Sequence, residues 1–187
     1  MNEETLVRLA QSGDMVAFEQ LVFHHDKSVL SIAARYVASA DEAKDIYQEV
    51  FLRVFRNLKK YRFRGEFGAW VHKITVNVCL THTSRRREFV RPHQRESDED
   101  NDGTSDGDPA DPDVGPDIKT MNNEITERLG VAMQSLAPKH RMVFTLRHLE
   151  GRSLSEIAAM MECREGTIKR YLFDATRKIR ELMKDFV

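Results

Sequence analysis

The run SLSEIAAMMECREGTIKRYLF, residues 153–173, has the spacing of two short helices crossing at a tight turn. Ile157 and Ala158 fall on the first helix, the break lies near Glu162 and Cys163, and Ile168 opens the apolar face of the second. A small Ala158 lets the helices approach closely, while Ile168 and Leu172 fill the angle between them. This is helix-turn-helix spacing, although an ordinary helical hairpin with a charged outer face shares it. A second helix held in this way offers its first turns to a DNA major groove, where Thr167, Lys169, Arg170 and Phe173 can meet base edges and phosphates. Arg164, just ahead of that helix, can reach backbone phosphate.

Two further constellations precede it. Tyr61-Arg62-Phe63-Arg64-Gly65 interleaves aromatic rings with cations, a composition suited to stacking on unpaired bases along a single strand. Beyond it Lys73, Asn77 and Ser84 project together, roughly opposite Phe67, Trp70 and Ile74, and Arg85, Arg86 and Arg87 follow. An asparagine amide can both donate to and accept from an exposed base edge, and arginines hold phosphate. Asp45, Gln48 and Glu49 stand at i, i+3 and i+4, so they share a helix face that points away from the apolar stripe. Such a face can dock a partner, or can be no more than acidic residues favoured by the helix dipole.

The elements that must position these groups read as helices throughout. From Asp41 to Lys60, Ala43, Ile46, Tyr47, Val50, Phe51, Val54, Phe55 and Leu58 recur at steps of three and four, one stripe on one helix that Asp41 can cap. An earlier helix runs from about Asp14 to Val37, and a later one begins near Glu66 with Phe67, Trp70, Val71, Ile74 and Val78 on one side. With a short leading helix these form a bundle. Four shorter helices follow near 119–135, 138–149, 153–161 and 165–184, with Pro138 in a first turn and Gly151 at a break. Ser153 and Glu156 have the spacing of a capping box.

Between the halves, Glu96 to Asp117 holds ten acidic residues, no basic one, three prolines and three glycines. The whole chain sums to −1, so everything outside this segment carries a net +9. Having almost nothing apolar to bury, the segment cannot offset its ordering entropy and reads as a flexible acidic linker. Two basic bodies flanking it suit a polyanion partner, because each neutralised phosphate releases counterions. The fold class is therefore all-α: two small helical domains, 1–91 and 118–187, joined by a linker over 92–117.

Other chemistry finds little support. Cys79 and Cys163 are too few for a disulfide framework or a thiolate zinc site, and Cys79 with His82 lacks a second ligand pair. The seven histidines have no Ser or Cys partner in motif spacing, and no glycine-rich phosphate loop exists. No catalytic, cofactor or metal residue is assigned. No apolar run approaches the roughly 20 residues that cross a bilayer, and the start lacks the order of a secretion signal, which places the chain in the cytoplasm.

The segment from Leu136 to Arg180, through Leu136, Pro138, Arg141, Val143-Phe144, Leu146, Glu156-Ile157-Ala158 and Gly166-Thr167-Ile168-Lys169, resembles region 4 of bacterial sigma factors of the extracytoplasmic-function (ECF) type. Asp45-Ile46-Tyr47-Gln48-Glu49-Val50-Phe51 and Trp70-Val71-His72-Lys73-Ile74-Thr75-Val76-Asn77 resemble region 2 of that family. The resemblance implies a promoter-specificity subunit with three surfaces. Asp45, Gln48 and Glu49 would dock on the beta-prime coiled coil of core RNA polymerase, with the beta flap as a second polymerase contact. Arg62, Phe63, Arg64, Lys73, Asn77, Arg85 and Arg86 would melt and read the promoter −10 element. Arg164, Thr167, Lys169, Arg170, Phe173 and Arg177 would read the −35 element. It also implies an anti-sigma protein that holds the chain inactive. Asp174 and Thr176 stand where the family commonly has arginines, and an Asp174 carboxylate facing DNA would repel phosphate. A free-standing helix-turn-helix regulator with an N-terminal sensing or dimerisation bundle is the alternative, and a helical enzyme with a DNA-binding tail a remoter one.

Overall fold

The computed structural model describes residues 2–90 and 121–184, with side chains placed for 2–85 and 128–184. The acidic segment lies outside the described residues. Eight α-helices make up the described chain: α1 Glu3–Gln11, α2 Met15–Tyr36, α3 Ala40–Asn57, α4 Phe67–Val90, α5 Met121–Gln134, α6 Pro138–Phe144, α7 Leu154–Met161 and α8 Glu165–Met183. A 3-10 turn, Leu58–Lys60, extends α3, and a π turn, Thr145–Leu149, extends α6. No strand occurs among the described residues.

Short polar side chains start four of these helices by accepting from amides that the first turn leaves unpaired. Asn2 caps α1, and Asp14 caps α2 through Val16 and Ala17. α3 begins two residues earlier than a cap at Asp41 would have it, because Ser39 is its cap and takes the Asp41 amide. Ser153 and Glu156 close a full capping box at α7, which holds the Glu156 carboxyl below its usual range. α8 starts at Arg164 with no side-chain cap. Gly151 turns the chain at φ +66° between the π turn and α7. Gly68 admits the His25 ring, since a Cβ there would sit 3.1 Å from its Cε1.

The N-terminal bundle packs α1, α3 and α4 around α2. Its interior comprises Leu6, Val7, Leu21, Val29, Ile32, Tyr36, Ile46, Val50, Val54 and Val71, all buried. The C-terminal module has a small core of its own, in which Ala132, Met133 and Leu136 meet Phe144, Ala175 and Ile179. The two modules also pack on each other. α4 packs on α6 and α7, and α2 touches the π turn. One continuous buried cluster takes in Val76, Val78 and Cys79 of α4 together with Met142, Val143, Ile157 and Met160.

Polar contacts reinforce this seam. Glu150 accepts from Ser31 at 2.8 Å and pairs with Arg35 Nε at 3.1 Å. Arg141 is buried and donates to the carbonyls of Met133, Gln134 and Leu136, with its Nη1 3.5 Å from the Tyr36 carbonyl at the end of α2. These bonds satisfy carbonyls at two helix C-termini that would otherwise be buried unpaired.

Candidate nucleic-acid interface

Two clefts flank Trp70 of α4. The first, about 260 Å3, is lined by Arg53, Asn57 and Lys60 at the end of α3 with Trp70, Ile74 and Asn77 of α4. Asn77 is exposed and belongs to the same side of α4 as Trp70 and Ile74, a correction to the sequence expectation that it faces away from them. Lys73 departs from it: its ammonium reaches Glu162 Oε1 at 2.6 Å, across the seam. The amide and the ammonium thus serve different clefts, Asn77 the one beside α3 and Lys73 the one beside α7.

The second cleft, about 700 Å3, lies between the Lys60–Glu66 loop, the first turns of α4 and the α7 residues Glu156, Ala159 and Met160, with Arg152 just ahead of them. Arg62 and Arg64 are exposed on its rim. Phe63 sits in the left-handed region at φ +56°, edge-on to Tyr61, with the Arg8 guanidinium 4.4 Å from its ring centre. One face of this ring is therefore already covered, which limits the base stacking expected of it. Arg85 is exposed at the far end of α4, and the Arg86 side chain lies outside the described residues.

In the C-terminal module α7 and α8 cross as a helix-turn-helix. Ala158 and Ile168 are buried at the crossing, and the turn passes through Glu162 in the left-handed conformation at φ +54°. Lys169, Phe173 and Arg177 form one exposed stripe along α8, with Arg164 and the half-buried Thr167 and Arg170 beside its first turns. Phe173 is 55% exposed on that stripe. Asp174 is not a bare charge: it lies 3.4 Å from Arg177 and 3.8 Å from His140. The phosphate repulsion expected of it is correspondingly reduced.

On α3, Asp45 and Gln48 are exposed as expected, while Glu49 is half-buried and its carboxylate is engaged by Arg53 at 2.6 Å. The face continues into apolar surface that the periodicity concealed. Leu52 is 41% and Phe55 47% exposed, although Phe55 fits the apolar repeat. Residues 45, 48, 52 and 55 follow one line of the helix, so a polar patch and an apolar patch adjoin. The visible signal was Leu52, an apolar residue out of phase with the buried stripe.

Cys79 fits no reactive role. Cys79 is fully buried, and burial pushes its thiol up to about 12, where no thiolate forms near neutrality. No cluster of three or more His, Cys, Asp or Glu side chains able to hold a metal occurs among the described residues. No described helix is long and apolar enough to cross a membrane.

Comparison with known proteins resolves what this constellation is. Residues 21–89 match Sigma-70 region 2, and residues 126–179 match Sigma-70, region 4. The chain belongs to the sigma-70 family. Among its relatives, the RNA polymerase sigma-H factor of Pseudomonas aeruginosa is 31% identical over 178 residues, covering 95% of this chain and 91% of that protein. The ECF RNA polymerase sigma-E factor of Escherichia coli K12 is 31% identical over 180 residues, covering 96% and 93%. The fold recurs in CnrH, solved in complex with the cytosolic domain of CnrY, at a TM-score of 0.66 and 18% identity over 99% of both chains. It recurs also in the sigma factor RpoE of Bartonella quintana, solved with the anti-sigma factor NepR, at 0.63 and 18% identity over 91% of this chain and 98% of that one. α2 to α4 therefore form sigma region 2 and α5 to α8 sigma region 4 of an ECF-type RNA polymerase sigma factor, a transcription initiation factor that binds core polymerase and promoter DNA.

Proposed function

We propose that the −10 element is read in the cleft between α3 and α4, the −35 element by the exposed stripe of α8, and core polymerase by the outer face of α3. The observation that carries this reading is the placement of Asn77. Its amide opens onto a cleft that also exposes the Trp70 ring and the cations Arg53 and Lys60. An unpaired base entering there would find a flat apolar wall, a group that reads hydrogen-bonding edges, and cations for its phosphate. Opening of the duplex would then draw on binding energy, since extruding a base costs only a few kcal/mol. Arg62, Arg64 and Arg85 extend the cationic track, and Lys73 joins it once released from Glu162. On α8, Arg164, Thr167, Lys169, Arg170, Phe173 and Arg177 take the major groove, with Arg177 aimed by Asp174.

The closed arrangement has to open for this. Elements centred near −35 and −10 are about 25 base pairs apart, or roughly 85 Å at 3.4 Å per pair. A compact chain of this length has a radius of gyration of about 16 Å. Separation of region 2 (1–91) from region 4 (118–187) along the intervening 92–117 segment satisfies that span. A protein regulator that gripped both modules would prevent it, and the solved relatives bound to CnrY and to the anti-sigma factor NepR make an anti-sigma partner the natural candidate. The chain then acts as a binding subunit with no catalysis of its own, in the cytoplasm where polymerase works.

The test is permanganate footprinting of open complexes formed by holoenzyme on a cognate promoter. Asn77→Ala should lower open-complex formation by about tenfold, equivalent to roughly 1.4 kcal/mol, with core binding unchanged. Equal melting by the variant would refute the assignment of Asn77.

A further inference from the structure

The larger cleft is built from both modules, so it exists only while they are packed together. One side of it is Trp70, which packs tilted against Tyr61 at 5.2 Å and Phe67 at 5.5 Å between ring centres, and the other side includes Ala159 and Met160 of α7. Cations crowd the rim: Arg62 and Arg64 from the loop, Lys73 from α4 and Arg152 from the segment before α7. Of the two glutamates that share it, Glu156 is turned to the Ser153 hydroxyl and amide.

Arg152 supplies a second observation. Its Nε–H is buried and has no hydrogen-bond acceptor, although the end of the guanidinium meets Glu156 at 3.5 Å. A buried donor left unmatched is destabilising. A small rotation of the side chain into the cleft would bring it to an anionic oxygen there. The volume of about 700 Å3 falls in the range of roughly 300–1,000 Å3 typical of small-ligand sites, which favour interfaces between domains. An aromatic side with a cationic rim matches a flat ring that carries phosphate.

We propose that this cleft binds a free nucleotide, its base against Trp70 and its phosphates among Arg62, Arg64 and Arg152. Because the ligand touches region 2 and region 4 at once, it favours the closed form by its differential affinity for it. It also covers two arginines assigned above to promoter DNA, so nucleotide and −10 strand compete. That competition rests on the DNA reading; nucleotide binding itself does not.

Trp70 is the one tryptophan in the chain and lines both clefts, so its emission reports a ligand in either, and a substitution on the α7 side tells them apart. Titration of the full chain with ATP and with GTP should give saturable quenching, with adenosine and inorganic phosphate each binding at least about tenfold more weakly. Ala159→Glu places a carboxylate in the cleft from an exposed α7 position outside the DNA-reading residues. It should weaken nucleotide binding by at least about tenfold, with an unchanged helical circular dichroism spectrum and unchanged binding of a single-stranded −10 oligonucleotide. Absence of saturable quenching by either nucleotide, or quenching that survives Ala159→Glu, overturns the proposal. If the oligonucleotide fails to bind while the nucleotide still quenches and Ala159→Glu abolishes it, the DNA reading falls and the inter-module site stands.

Discussion

The Lys73 ammonium of region 2 lies 2.6 Å from the Glu162 carboxylate of region 4, in the turn of the helix-turn-helix. One contact thus joins a residue assigned to the −10 strand with the turn that aims the −35 helix. Glu162 holds that turn at φ +54°, a conformation glycine adopts without strain. Glu162→Gly should therefore leave the turn intact while releasing Lys73. The pair is half-exposed, so its worth is at most about 1 kcal/mol. Fluorescence anisotropy should show the free chain binding a single-stranded −10 oligonucleotide up to about fivefold more tightly after this change. Weaker binding would mean that the ion pair does not guard the DNA surface.

Arg141 should behave as a structural residue despite its charge. It is 5% exposed and serves several carbonyls of the α5–α6 turn while lying 5.4 Å over the Tyr36 ring. Arg141→Ala strands those carbonyls in the interior and should lower the unfolding free energy by about 3 kcal/mol in urea denaturation. A loss under about 1 kcal/mol, the range of a surface pair, would show that the buried bonds are not formed in solution.

His72 gives the fold a pH dependence. It is buried on the seam, 3.1 Å from the Ser28 hydroxyl, and faces His25 of α2 with Arg152 and Glu156 of region 4. Burial first, then Arg152 and His25, draw its pKa down to about 4. The unfolded chain therefore binds this proton more readily than the folded one, and stability falls as the pH drops from about 6.5 toward 4 and levels off below. Between pH 7 and pH 5 the loss should be about 2 kcal/mol, and His72→Gln should remove that part of the slope. An unchanged slope in the variant would contradict the burial.

Docking on polymerase should depend on the apolar half of the α3 face as well as its polar half. Leu52→Ala and Phe55→Ala should each weaken core binding by about tenfold, and Asp45→Arg by more, since truncated anchors at protein interfaces typically cost 1–2 kcal/mol or more. Size-exclusion titration with core enzyme reads this directly. All three positions are exposed, so thermal melting should change little.

Much of this molecule is legible in its sequence where the cause is local. The stripe from Ala43 to Leu58 and the Ser153–Glu156 box act within a turn or two of helix, and both appear as the spacing implies. Ala158 and Ile168 likewise sit at the crossing of the helix-turn-helix. What escaped depends on which distant surface covers a residue. Phe55 fits the apolar repeat and packs T-shaped on Phe18 of α2, yet remains half-exposed. The bond from Lys73 to Glu162 spans 89 positions, and no spacing rule reaches so far. The acidic segment between the halves marks a boundary without saying how the halves meet, and Val76 and Cys79 share a buried cluster with Met142 and Ile157. Charge and entropy in a linker do not determine whether the apolar faces beyond it meet.

The central claim is that region 2 and region 4, separated but carried on one polymerase, select a start site together. Run-off transcription with purified core enzyme on promoters selected for binding by the holoenzyme tests it most directly. The intact chain should direct a discrete transcript that is lost when either the −10 or the −35 element is scrambled, and lost with Asp45→Arg. A chain that leaves core enzyme unable to initiate there, or a transcript indifferent to both elements, would contradict the account.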